Sequence, residues 1–154
     1  MTRRFSYLPA GAILLAALLA ACHISTINPS PESDRLLALT GSQWLLTEIA
    51  GQKIKNNEAH PAYLYFDTDN RVSGSGGCNR VAGEYRLASR QLHFSRMITT
   101  RMACLDMRAE DALLAALPTV ASYVLSGGGD VLTLYNGDGV PLAVFRRDAG
   151  GDKR

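Results

Sequence analysis

The chain has 154 residues, with 16 basic and 14 acidic side chains, 47% hydrophobic residues and three cysteines. That length suits one domain, and the composition is that of an ordinary globular chain rather than a disordered or collagen-like one. The small net charge of +2 excludes a strongly basic nucleic-acid binder, and three cysteines exclude a disulfide-dense miniprotein.

The first 21 residues hold Arg3 and Arg4 and no acid. Without them, 14 basic and 14 acidic side chains remain and the net charge is zero. Arg3 and Arg4 form a short positive region, Leu8 to Leu19 is an apolar run of 12 residues, and the small Ala20 and Ala21 precede Cys22. The apolar run is too short to span a bilayer, which needs about 20 residues, and has the length of a secretory signal. Leu19-Ala20-Ala21-Cys22 resembles the bacterial lipobox. The resemblance implies residues 1–21 as a signal peptide, a diacylglycerol on the Cys22 sulfur, cleavage before Cys22 and acylation of the new amine. Several acyl chains anchor firmly, whereas one is marginal. Residue 23 is His rather than Asp, and by the same resemblance this favours the outer membrane over the inner, with the domain facing the periplasm.

Residues 23–34 (HISTINPSPESD) contain Pro29, Pro31 and four Ser or Thr residues without an apolar period. They read as a flexible tether that reaches at most about 40 Å, and with Cys22 and Arg35 they make up the segment 22–35 ahead of the domain. The domain is expected over 36–147, and the polar, Gly-rich 148–154 as a frayed tail.

Trp44, Leu45, Leu46 and Ile49 mark a first strand. Ala62-Tyr63-Leu64-Tyr65-Phe66, the turn Asp67-Thr68-Asp69-Asn70 and Arg71-Val72-Ser73 predict a hairpin. Gly83–Leu87 and Gln91–Phe94 predict a strand pair around Ala88-Ser89-Arg90. Residues 120–126, 131–135 and 141–145 predict three more strands, separated by Gly127-Gly128-Gly129 and by Asn136-Gly137-Asp138-Gly139. Leu105, Ala109, Ala112, Leu113, Ala116 and Leu117 recur at helical spacing, with Asp106 as the expected N-cap, Glu110 and Asp111 near the positive end of the helix dipole and Pro118 as the stop. The expected fold class is α+β, mainly antiparallel β: a strongly curved, barrel-like sheet of about eight strands with one helix inserted after the fifth.

Trp44-x-Leu46, the run Arg71-Val72-Ser73-Gly74-Ser75-Gly76-Gly77-Cys78-Asn79-Arg80, Gly83-x-Tyr85, Leu92-x-Phe94 and Met97-x-Thr99-Thr100-Arg101-Met102-Ala103-Cys104 occur in order before the helix. Together they resemble the META domain of HslJ-like heat-shock lipoproteins over about residues 38–146. The motif positions carried over are Gly77, Cys78, Asn79 and Arg80, with Thr100, Arg101, Met102, Ala103 and Cys104. The resemblance implies a small antiparallel barrel with a helix and a setting of heat and antibiotic stress in bacterial envelopes; it implies no enzymatic activity.

Once Cys22 is lipidated, Cys78 and Cys104 are the remaining cysteines. An oxidising compartment permits a disulfide between them, and buried free thiols are the rival reading. A metal pair is disfavoured by the lack of Cys-x-x-Cys and by the isolation of His23, His60 and His93. No metal, catalytic residue or cofactor beyond the covalent lipid is expected. Ser75 among glycines lacks a P-loop Lys and a nucleophile elbow, so residues 73–80 read as a tight connection in which Asn79 and Arg80 bond neighbouring backbone. Arg101 has the chemistry to bind a carboxylate ligand or a domain acid such as Asp106, and the structural salt bridge is the expected outcome. Tyr63, Tyr65, Tyr85 and Tyr123 are either core residues or the lining of a ligand groove. The leading function is therefore a non-catalytic envelope lipoprotein that binds another, unidentified envelope component and no nucleic acid. A lipocalin-like carrier with a barrel cavity is the alternative.

Overall fold

The structure is a computed structural model that describes residues 31–56 and 59–148, without the side chains of Pro31 and Glu32. Alternating apolar and polar positions produce its strands. In β1 (Gln43–Ile49), Trp44 and Leu46 point into the core, and in β3 (Ala62–Phe66), Ala62, Leu64 and Phe66 do the same. Between them lies a two-residue β2 (Gln52–Lys53) that was not expected from sequence; it is wholly exposed, so no apolar pattern marks it. β4 (Arg71–Gly76), β5 (Arg80–Ala88) and β6 (Gln91–Thr99) follow as antiparallel neighbours. β7 (Val120–Ser126), β8 (Val131–Asn136) and β9 (Pro141–Arg147) complete the sheet.

The sheet runs β2-β1-β3-β4-β5-β6-β7-β8-β9, and β9 pairs back onto β1 from Trp44↔Arg147 to Ile49↔Ala143. Eight strands thus close a barrel with β2 as an extra edge strand, as the family resemblance implies. Closure demands strong coiling, and four register shifts supply it, among them an extra residue at Thr47 and a bulge where Gly83 faces Arg96 and Met97. The seam between β6 and β7 is narrow, with the single register pair Gln91↔Ser122. The interior is filled by Trp44, Phe66, Tyr85, Phe145 and a set of leucines, all with no exposed surface. Phe66 meets Tyr85 edge-on at 5.2 Å.

The inserted helix α2 (Arg108–Ala116) lies between β6 and β7, one strand later in the count than expected because of β2. Leu113 and Leu117 are buried as the apolar stripe predicts, and Pro118 ends the helix in a 3-10 turn, Leu117–Thr119. Leu105 is not on the helix: it is fully exposed in the preceding loop. Asp106 accepts the Arg108 N–H at 3.1 Å one residue ahead of the geometric cap, Met107.

A further helix, α1 (Pro31–Leu39), precedes the barrel and takes in residues 31–35, which the sequence reading places in the tether segment. Tertiary contacts hold it. Trp44 Nε1 donates to Leu39 O at 2.8 Å, and the Arg147 guanidinium stacks on the Trp44 ring at 4.6 Å while donating to Ala38 O at 2.7 Å and to Ser42 Oγ. Polar composition gave no sign of these contacts. Cys22, the leader and the tail from 149 lie outside the described residues.

Candidate functional site

The glycine-rich end of β4 and the segment after β6 meet at one end of the barrel, under α2. Gly77 takes φ +111°, a value that favours glycine, and turns the chain from β4 into β5. Ser75 Oγ accepts the Gly77 N–H at 3.1 Å, so this hydroxyl serves the turn. The turn presents Cys78 and Asn79 to the second segment.

Asn79 is the centre of the arrangement, only 2% exposed. Its Oδ1 accepts from the Met102 N–H at 2.6 Å and from Thr100 Oγ1 at 2.9 Å; its Nδ2 donates to Met102 O at 3.1 Å and to Glu110 Oε1 at 2.6 Å. An asparagine side chain offers two acceptor and two donor positions, and here all four are used. Thr100 Oγ1 also accepts the Arg80 N–H at 3.1 Å.

Glu110 completes the site from α2. It too is 2% exposed, and its Oε2 accepts the backbone N–H of Asn79 at 2.6 Å and of Cys78 at 3.1 Å. The carboxylate takes the place of the missing strand partners of the turn and needs no cation to do so. Gly76 makes room for it: a Cβ there would lie 2.6 Å from Glu110 Oε2. Sequence reasoning assigned Glu110 to the helix dipole and missed this role. The signal was present, because 110, 113 and 117 fall on one helical face and Leu113 and Leu117 are buried. Asp111 beside it is exposed, in line with the divergence of adjacent helix positions.

Cys78 and Cys104 are joined as a disulfide, with Cα atoms 6.1 Å apart. The bond ties the turn to the loop that Asn79 already grips. Arg101 makes no ion pair with Asp106; the Asp106 carboxylate instead pairs with Arg108 at 2.7 Å, and that hydrogen bond lowers its pKa to about 2. The expectation failed because Arg108 is two residues away on the same turn, whereas Arg101 precedes the disulfide.

A cleft of about 300 Å³ opens between residues 99–103 and the Met107, Glu110 and Leu114 side of α2. The two described histidines lie elsewhere. His60 is exposed, and His93 on the outer face of β6 has its Nδ1 3.1 Å from Val120 O. Tyr85 and Tyr123 are core residues; Tyr63 and Tyr65 lie on the outer face of β3. Tyr85 donates to Asp67 O at 2.5 Å, and burial, with the nearby Asp67 and Asp69, raises its pKa to about 12. Among the described residues no group of three or more His, Cys, Asp or Glu is placed to hold a metal ion.

The META domain profile matches residues 37–149, which takes in the barrel, the Asn79 clamp and Glu110. The chain belongs to the META domain family. Three solved structures resemble it. A protein from Burkholderia xenovorans, solved by NMR, shares 26% identity at a TM-score of 0.58 over 80% of this chain and 93% of that one. A second NMR structure shares 22% identity at a TM-score of 0.59 over 72% and 92%. The crystal structure of a DUF4847 family protein from Bacteroides vulgatus shares 13% identity at a TM-score of 0.52 over 71% and 94%, a likeness of fold alone. No curated protein matches the chain.

Proposed function

We propose that this META-domain protein is a non-catalytic bacterial envelope lipoprotein. Acyl chains on Cys22 hold it at the outer membrane with the domain in the periplasm, and it contributes to heat or antibiotic stress tolerance by binding another envelope component. The observation that carries the non-catalytic reading is the state of the motif's polar groups. Asn79, Thr100, Ser75 and Glu110 are engaged in holding backbone, and His93 faces outward, away from them. Side-chain catalysis needs a nucleophile and a base within hydrogen-bond reach, and this site offers rigidity instead. The filled interior supports binding by the exterior of the barrel rather than carriage of a ligand within it.

Two measurements test the proposal. Mass spectrometry of the purified chain is expected to find a triacylated Cys22 at a new N-terminus; an unmodified Cys22 in an intact leader refutes the anchor. In cells lacking the gene, the His93→Ala and Ser75→Ala variants are expected to restore stress tolerance as the wild type does. A saturable hydrolytic activity lost in either variant without unfolding overturns the non-catalytic reading.

A further inference from the structure

Charge along the chain is segregated. Residues 71–101, which form β4, β5, β6 and their connections, hold six arginines, no lysine and one acid, Glu84. The flanking stretches 31–70 and 102–148 hold twelve acids against six basic residues. The near-neutral total conceals a domain with one strongly basic side.

All six arginines are exposed. The strand pleat places Arg71, Arg80 and Arg86 on the outer face of the sheet, since Val72, Val81 and Tyr85 point inward. Arg96, which strict alternation would turn the same way as Phe94, sits instead in the β6 bulge at φ +51° and is exposed beside Glu84. Arg90 lies in the β5–β6 turn, and Arg101 follows β6. Arg71 pairs with Asp69 at 3.4 Å and Arg96 with Glu84 at 3.0 Å. Arg80, Arg86, Arg90 and Arg101 make no ion pair among the described residues. At the Arg80 end of this face three large apolar side chains stand in solvent: Ile98, paired with Ala82, together with Met102 and Leu105. At the opposite end, Arg35 of α1 donates to Ser89 Oγ at 3.4 Å, so the segment leading from Cys22 joins the domain beside Arg90.

We propose that this face docks on the surface of an anionic phospholipid bilayer, with the arginines on headgroup phosphates and Ile98, Met102 and Leu105 in the interfacial layer. The inference rests on the lipid-anchor reading for its choice of occupant. The chain from Cys22 to Pro31 spans at most about 30 Å even when fully extended, which keeps the face at high effective concentration near the bilayer. Charge complementarity and the fork geometry of guanidinium toward phosphate supply the attraction.

The test is arginine footprinting with phenylglyoxal on the mature lipidated chain, reconstituted in phosphatidylcholine vesicles with or without phosphatidylglycerol. Labelling of Arg80, Arg86, Arg90 and Arg101 is expected to fall at least about fivefold with phosphatidylglycerol, the effect of one surface charge contact. Protection is expected to disappear in about 0.5 M salt, where exposed charges are screened. Arg146, across the barrel on β9, labels equally in both. Equal labelling of the face in the two vesicles, or protection unchanged by salt, overturns the proposal. So does protection of these arginines by a soluble polyanion alone. The Arg80→Gln and Arg86→Gln changes are expected to weaken pelleting with externally added phosphatidylglycerol vesicles about fivefold each. Should a variant unfold, the wild-type comparison still decides. Intact mass reports acylation of Cys22 separately, and externally added vesicles test the face whether or not Cys22 carries lipid.

Discussion

Replacing Glu110 by Gln changes the shape of the side chain hardly at all, yet it is expected to destabilise the domain. The wild-type carboxylate accepts three hydrogen bonds: two from the Cys78 and Asn79 N–H groups on Oε2 and one from Asn79 Nδ2 on Oε1. Gln keeps one acceptor oxygen. If that oxygen serves the two backbone groups, the new NH2 faces Asn79 Nδ2, another donor. Asn79 cannot turn its oxygen toward the Gln, because Oδ1 already accepts from the Met102 N–H and Thr100 Oγ1. At least one buried donor is therefore orphaned, at a cost of about 1–3 kcal/mol. Taking about 2 kcal/mol, Tm falls by about 8 °C for a domain of this size. Glu110→Ala orphans all three donors and is expected to cost about 3–4 kcal/mol, moderated by water that enters through the adjoining cleft. The assay is urea or thermal unfolding with the disulfide intact, followed by the fluorescence of the buried Trp44, with Asp111→Asn as the exposed neighbour for comparison. A Glu110→Gln protein within about 0.5 kcal/mol of wild type, the range of ordinary surface changes, refutes the acceptor argument.

Gly76→Ala places a methyl against the same carboxylate and is expected to cost about 2 kcal/mol; because the two groups collide, Glu110→Ala relieves part of that loss in a double-mutant cycle. Cys104→Ser removes a crosslink across 26 residues and is expected to cost about 3 kcal/mol; non-reducing peptide maps yield a joined 78–104 peptide, and two alkylatable thiols in the folded protein contradict it. Tyr85 has its pKa raised from 10.0 to about 12, so the protonated form is favoured by folding. Its contribution is complete below pH 10 and lost as pH rises toward about 12, a slope that Tyr85→Phe abolishes; a Tyr85 that titrates near 10 in the folded protein contradicts the assignment.

The sequence by itself determined the β character of the domain, nearly every strand, the inserted helix and the two motif segments, because period-2 alternation and glycine-rich turns are local signals. The family resemblance came from the same local strings. Other features depended on contacts between residues far apart in the chain. β2 carries no apolar pattern and exists because β1 offers it an edge. α1 exists because Trp44 and Arg147, 103 positions apart, hold its C-terminal end. Asn79 and Glu110 looked like a turn residue and a helix-dipole residue, and only the packing of α2 against the end of β4 brings them within 2.6 Å. The arginines of residues 71–101 were visible one by one, but a charge total averages over the whole surface. The pleat of β4 and β5 and the bulge of β6 turn those on the three strands to one outer side, and that is a property of pairing in space rather than of order along the chain.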